Sequence, residues 1–420
     1  MGIQEVTSIS IDKWFYRIIT ILIMLFVSGL IINPMGNQLY VFFDKTDNFL
    51  ADFFNVQLYI ADWDPYHNTI NGLGEKCYLP FTYLFLELFN GFYHYSGASL
   101  LDCYASSTAM ISCILFMIVS LFLFYHSVTC LVEIPSKLKF VLLFSSVILF
   151  SFERGNIIVL CAALICYYLA YKDSRNNGLR FFSLLCLCIV SVVKIYPAIL
   201  GLYLLKDKRY KDIAICVLVS LILIFAPFLF FKGGFTNIGQ MFDNFSVFFK
   251  SYSAYNIFPR FGLSHLIAWG LMGLHIDKNV SNVILLIPHS LMYFLCIISF
   301  VMFFYEKKDW KQLALVVLPI IMLPTNSAFY CGLYFIPVIL MFLNNSEKRK
   351  MDFFYMLLIC IFLSPFQFPV IKGITISQQL SNVALLTIWF FLLNENLFNI
   401  RKGKMDIKQN NDAINNSTTL

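Results

Sequence analysis

Along its whole length the chain runs apolar for 15 to 23 residues at a time, with short charged breaks between the runs. A helix needs about 20 such residues, at about 1.5 Å each, to cross a hydrocarbon layer about 30 Å thick. Because such runs and the loops between them nearly use up the 420 residues, little chain is left over for a separate soluble domain. The class predicted is an all-α polytopic membrane protein, one transmembrane domain over 1–404, followed by a polar tail at 405–420 expected to be disordered and cytoplasmic. Only 13% of residues are charged and mean hydropathy is +0.75, so each charge inside an apolar run calls for a reason.

Crossings are predicted near 15–32, 103–125, 140–152, 157–171, 181–193, 195–205, 212–231, 283–305, 312–323, 329–343, 353–371 and 383–399. The first lacks a small-residue cleavage site and reads as a retained span. With the amino terminus inside, the segments 13–17, 137–139, 172–180, 206–211, 307–311, 348–350 and 401–408 fall on the cytoplasmic side and carry 21 of the 30 Lys and Arg. That bias fixes the orientation and puts both termini in the cytoplasm. It also accounts for the net charge of +6, which gives no support to nucleic acid binding. The twelve cysteines have no metal-type spacing and read as small core residues. Cys77 and Cys103 are the two predicted outside, where a disulfide between them is chemically open.

Several middle runs are only 11 to 15 residues long, too short for a lipid-exposed crossing. They are expected to end part-way through the bilayer, around a polar cavity. Three turns would face outward at that depth: Glu153-Arg154-Gly155-Asn156, Lys194-Ile195-Tyr196-Pro197 and Pro324-Thr325-Asn326-Ser327. Two longer segments lie outside. The first, 33–102, holds a half-inserted helix near 78–95. The second, 232–282, spaces Phe242, Phe245, Phe248, Phe249, Tyr252 and Tyr255 as on an amphipathic surface helix.

The first outer segment also concentrates acid: Asp44, Asp47, Asp52, Asp62 and Asp64 fall within 21 positions. Carboxylates at the rim of a bilayer suit deprotonation of a sugar hydroxyl. Asp62 and Asp64, beside Pro65, read as turn residues, and no metal or other cofactor is assigned. Of the nine outer cations, Arg154, Lys194 and Arg260 are those suited to phosphate or to snorkelling at the interface.

Four segments in order resemble one family pattern. Asp52-Phe53 with Pro65-Tyr66, Tyr78-Leu79-Pro80-Phe81, Gly155-Asn156, and Lys194-Ile195-Tyr196-Pro197 with the basic loop Lys206 to Lys211 are similar to elements of the integral-membrane glycosyltransferases of the GT-C class. The match is to the polyprenyl-phosphate-mannose-dependent branch, glycosyltransferase family 87, and covers roughly 10–345. O-antigen-modifying glucosyltransferases have a similar size and layout. The family's Trp-x-His-Tyr element stands here as Asn326-Ser327-Ala328-Phe329-Tyr330, without its histidine, leaving that polar role to Asn326 or Tyr330.

The resemblance implies a GT-C-like bundle of about twelve transmembrane segments. It further implies transfer of a hexose, glucose or mannose, from undecaprenyl-phosphate-hexose to a lipid-linked or cell-surface glycan such as O-antigen. The reaction would take place on the periplasmic face of the bacterial inner membrane. Asp52 is the expected base and Asp47 its rival; Lys194, Arg154, Arg260, Asn156, Tyr66, Asn326 and Tyr330 are the expected substrate contacts. An envelope polysaccharide polymerase or ligase is the competing reading. A lipid-linked-sugar flippase is a third, which would call for internal repeats and full-length spans.

Overall fold

The computed structural model describes residues 11–32, 49–72, 75–143, 145–251, 260–324, 328–345, 350–364 and 376–417. Among them the chain is helical, and the only β-type pairing is an isolated antiparallel bridge between Arg260 and Ala328. The helices are α1 Ile11–Ile32, α2 Ala51–Ile60, α3 Pro80–Glu87, α4 Leu100–Ala105, α5 Ser107–Leu131, α6 Ser136–Leu142, α7 Ser146–Glu153, α8 Ile158–Tyr171, α9 Asn177–Val193, α10 Leu202–Lys206, α11 Tyr210–Phe225, α12 Asn237–Ser251, α13 Leu263–Gly273, α14 Lys278–Tyr305, α15 Asp309–Met322, α16 Ile336–Asn345, α17 Lys350–Leu363 and α18 Ile376–Ser417.

Among the described residues, four stretches are long and apolar enough to cross a membrane alone: Ser107–Leu131, Tyr210–Phe230, Lys278–Tyr305 and Ile376–Asn399. Shorter apolar helices, among them Ile158–Tyr171 and Asn177–Val193, pack between them. α8 packs against α5 and α9, and ten of its fourteen residues are buried. At 14 residues it is too short to span lipid alone, and it is stable here because neighbouring helices surround it. The chain is a multi-pass membrane protein.

The breaks in the apolar runs have local causes. The run at 140–152 is divided between α6 and α7. The run at 195–205 is a 3-10 turn, Tyr196–Gly201, followed by α10, because Pro197 lacks the N–H that would continue α9. The run at 329–343 likewise opens as a 3-10 turn, Phe329–Phe335, before α16.

One expectation changes and two readings gain detail. α18 continues to Ser417, so 405–417 is helical where a disordered tail was expected; a helix already nucleated in the membrane extends without a new nucleation cost. The segment 232–282 contains a second helix, α13, besides the amphipathic α12; Tyr252 and Tyr255 lie outside the described residues. Cys77 and Cys103 are free thiols: Cys103 is buried on α4 and Cys77 stands on a cavity wall, where burial pushes its thiol up to about 12.

Candidate active site

The turn after α7 is built by its sequence. Gly155 adopts φ 63°, its N–H donates to the Phe152 carbonyl (3.0 Å), and the Asn156 N–H donates to the Ser151 carbonyl (3.0 Å). This pair of bonds is a Schellman closure, which needs a left-handed residue where glycine stands. Asn156 then serves two helices at once. Its Oδ1 accepts from the Ile158 N–H (2.9 Å), opening α8, and its Nδ2 donates to Asp52 Oδ2 (2.6 Å).

α2 begins on the same turn. Its first-turn N–H groups have no side-chain cap; instead Leu50 donates to the Glu153 carbonyl (2.7 Å) and Asp52 to the Arg154 carbonyl (3.0 Å). The close approach depends on Gly155, where an added Cβ would lie 3.2 Å from Leu50 Cα and 3.2 Å from Phe53 Cβ. Arg154 completes the clamp, its guanidinium donating to Asp52 Oδ1 (2.6 Å). Each carboxylate oxygen of Asp52 thus holds one donor and keeps a lone pair for another.

Asp52 lines a cavity of about 480 Å³. Lys194 and Arg260 line it too, as do Tyr78 and Tyr330. Lys194 follows the last residue of α9, and its ammonium lies 4.8 Å from the Tyr78 ring centroid and 6.0 Å from that of Tyr330, within cation-π range. Arg260 is 2% exposed and is pinned from three sides. Its backbone bridges to Ala328, Phe261 stacks on Phe329 at 5.1 Å, and Gly262 exchanges two hydrogen bonds with the Asn382 side chain (2.9 and 3.1 Å). Helix α12 contributes Phe245, Phe248 and Phe249 to the wall.

An apolar groove of about 850 Å³ adjoins this cavity, and Leu79, Ile195 and Phe245 line both spaces. Its walls come from α9, α10, α11 and α12, with almost no polar surface. The arrangement can take a proton at Asp52, face anionic charge with Lys194 and Arg260, and shelter a hydrocarbon chain alongside.

The matching family model is glycosyltransferase family 87, over residues 78–325. The chain belongs to that family. It is therefore a glycosyltransferase, an enzyme that moves a sugar from a donor to an acceptor, working at a bilayer. The matched residues include Tyr78, Arg154, Asn156, Lys194 and Arg260, whereas Asp52 precedes them. No curated protein and no solved structure matches the chain.

Of the residues singled out in the sequence, Asp52, Arg154, Lys194, Arg260 and Tyr330 come together on one cavity. Two others stand behind it. Tyr66 is fully buried among Tyr83, Phe228 and Phe231, and its hydroxyl donates to the Tyr78 carbonyl (3.0 Å); it braces the wall without reaching the cavity. Asn156, 3% exposed, acts on Asp52. Arg154, read as a phosphate contact, lines the cavity and donates from Nη2 to Asp52 (2.6 Å). Asp47 and Asn326 lie outside the described residues. Sequence reasoning passed over Asn55, Tyr59 and Glu75, which also line the cavity. Asp52, Asn55, Val56 and Tyr59 follow the 3/4 spacing of one helical face, which a helix assigned from 51 would have revealed.

Proposed function

We propose that the enzyme transfers a hexose, glucose or mannose, from undecaprenyl-phosphate-hexose to a lipid-linked or cell-surface glycan such as O-antigen. The reaction runs on the periplasmic face of the bacterial inner membrane, within a GT-C-like bundle of about twelve crossings whose termini are both cytoplasmic. The observation that carries this reading is that Asp52, Lys194 and Arg260 share one cavity with an apolar groove at its side. A carboxylate, a pair of cations and a hydrocarbon slot match, in order, an acceptor hydroxyl, a phosphodiester and a polyprenyl chain.

In the proposed step the acceptor hydroxyl attacks the anomeric carbon and gives its proton to Asp52. The C–O bond to the phosphate breaks, and polyprenyl monophosphate leaves with one more negative charge. Lys194 and Arg260 receive that charge in a site where little water competes. Arg154 and Asn156 fix the base by holding one donor on each of its oxygens. Tyr330 lies beside the ammonium of Lys194 and is placed to limit its movement.

Incubating membranes that carry the enzyme with labelled undecaprenyl-phosphate-glucose or its mannose analogue, together with a lipid-linked glycan, tests the reading. Label passing to the glycan from a carrier-linked donor is the expected result. Joining of whole glycan units, with no transfer from either monosaccharide carrier, would instead place the chain among polymerases and ligases.

A further inference from the structure

The cavity is lined by further polar groups besides the base and the cations. Moving along α2 from Asp52, the polar cavity-lining positions are Asn55 and then Tyr59, the latter about 10 Å further on at about 1.5 Å per residue. Glu75 lines the same wall.

The hydrogen bonds behind this wall decide what it offers. Asn71 Nδ2 donates both to Asn55 Oδ1 (3.0 Å) and to the Tyr59 hydroxyl oxygen (3.1 Å). Each of these oxygens thereby holds one donor, and the Asn55 amide N–H groups and the Tyr59 O–H remain to donate into the cavity. Burial keeps the Tyr59 phenol protonated by pushing its pKa up. Glu75 supplies the complementary acceptor. The loop that carries it is folded around Lys76, which is fully buried, donates to the Ile70 and Gly72 carbonyls and lies 4.6 Å from the Tyr59 ring centroid.

Amide donors, a phenol donor and a carboxylate acceptor on one wall match neighbouring sugar hydroxyls, each of which can donate to one group and accept from another. We propose that Asn55, Tyr59 and Glu75 form the acceptor-sugar subsite, that it takes an uncharged hexose residue, and that Glu75 determines its specificity. The proposal rests on the transfer reading above, since it gives Lys194 and Arg260 to the donor. A uronic acid in this subsite would set its carboxylate against Glu75.

The test is binding, which needs no turnover. Enzyme in lipid nanodiscs is titrated with methyl gluco-, galacto- and mannopyranoside and with methyl glucuronide, by saturation-transfer NMR. Wild type should bind at least one neutral glycoside, and glucuronide more weakly. Losing a hydrogen bond to a charged group should weaken that neutral glycoside by about 10-fold or more in Glu75→Gln, with a smaller loss in Tyr59→Phe, which keeps the ring and its packing. The glucuronide penalty should shrink in Glu75→Gln. No binding by wild type, or equal binding by Glu75→Gln, would overturn the subsite. If binding follows the expected pattern but no carrier-linked donor transfers its sugar, the transfer reading fails and the subsite stands.

Discussion

Gly155→Ala tests whether the turn after α7 positions the proposed base. At φ 63° an alanine costs about 1–2 kcal/mol in conformation alone. Its Cβ would also sit 3.2 Å from Leu50 Cα and 3.3 Å from Leu50 O, backbone atoms that cannot swing aside. α2 must retreat by a few tenths of an ångström, stretching the Leu50-to-Glu153 and Asp52-to-Arg154 backbone bonds of 2.7 and 3.0 Å. If each loses part of its net worth of about 0.5–1.5 kcal/mol, the total destabilisation is roughly 2–3 kcal/mol. The same retreat carries Asp52 away from its place in the cavity, and misplacement of this order costs about 10- to 100-fold in rate. The assay is steady-state transfer from undecaprenyl-phosphate-hexose in nanodiscs, with thermal unfolding alongside. Expected are a 10- to 100-fold lower kcat and a nearly unchanged donor KM. A Gly155→Ala enzyme with wild-type kcat would refute the idea that this contact sets the base.

Three further predictions address other parts of the structure. Lys194→Gln should raise donor KM and weaken inhibition by free undecaprenyl phosphate, each by about 10-fold or more, as loss of a charge-assisted contact requires; unchanged product inhibition would remove Lys194 from the phosphate site. Ser220→Phe, which narrows the apolar groove, should impair a donor with the full undecaprenyl chain more than one with a short prenyl chain, and equal impairment would detach the groove from the donor. Burial lowers Lys76 to about 8, below its unfolded value near 10.4, so between those pH values the unfolded chain holds a proton that the folded chain has released. Stability should therefore gain a rising contribution from about pH 8 to 10, and Lys76→Met should remove it in a pH series of thermal unfolding.

The membrane class was legible because it depends on composition and run length, which no tertiary contact can reverse. The cavity was legible in outline for a related reason. Charges such as Arg154 and Lys194 inside apolar runs, and helices too short to face lipid, both call for a polar interior. Partner choice was not legible. Nothing in the spacing of Asp52 and Arg154, 102 positions apart, says that the arginine binds the aspartate; that pairing follows from the Schellman turn placing both carbonyl and guanidinium at the start of α2. Tyr66 misled for the opposite reason, since its motif is local and its neighbours Phe228 and Phe231 arrive from far along the chain. Glu75 was passed over because a lone acid in a loop looks solvated until the loop is closed around Lys76.

The central claim is that Asp52 takes the acceptor's proton, and the most direct measurement is kcat of Asp52→Asn beside Asp47→Asn. Asparagine preserves shape at 52 and can still accept from Arg154, but it cannot serve as the base. Asp52→Asn should lose about 10²- to 10⁴-fold in kcat with donor KM little changed, while Asp47→Asn transfers normally. Transfer at the wild-type rate by Asp52→Asn would contradict the account, and the same loss in Asp47→Asn alone would move the base to that residue.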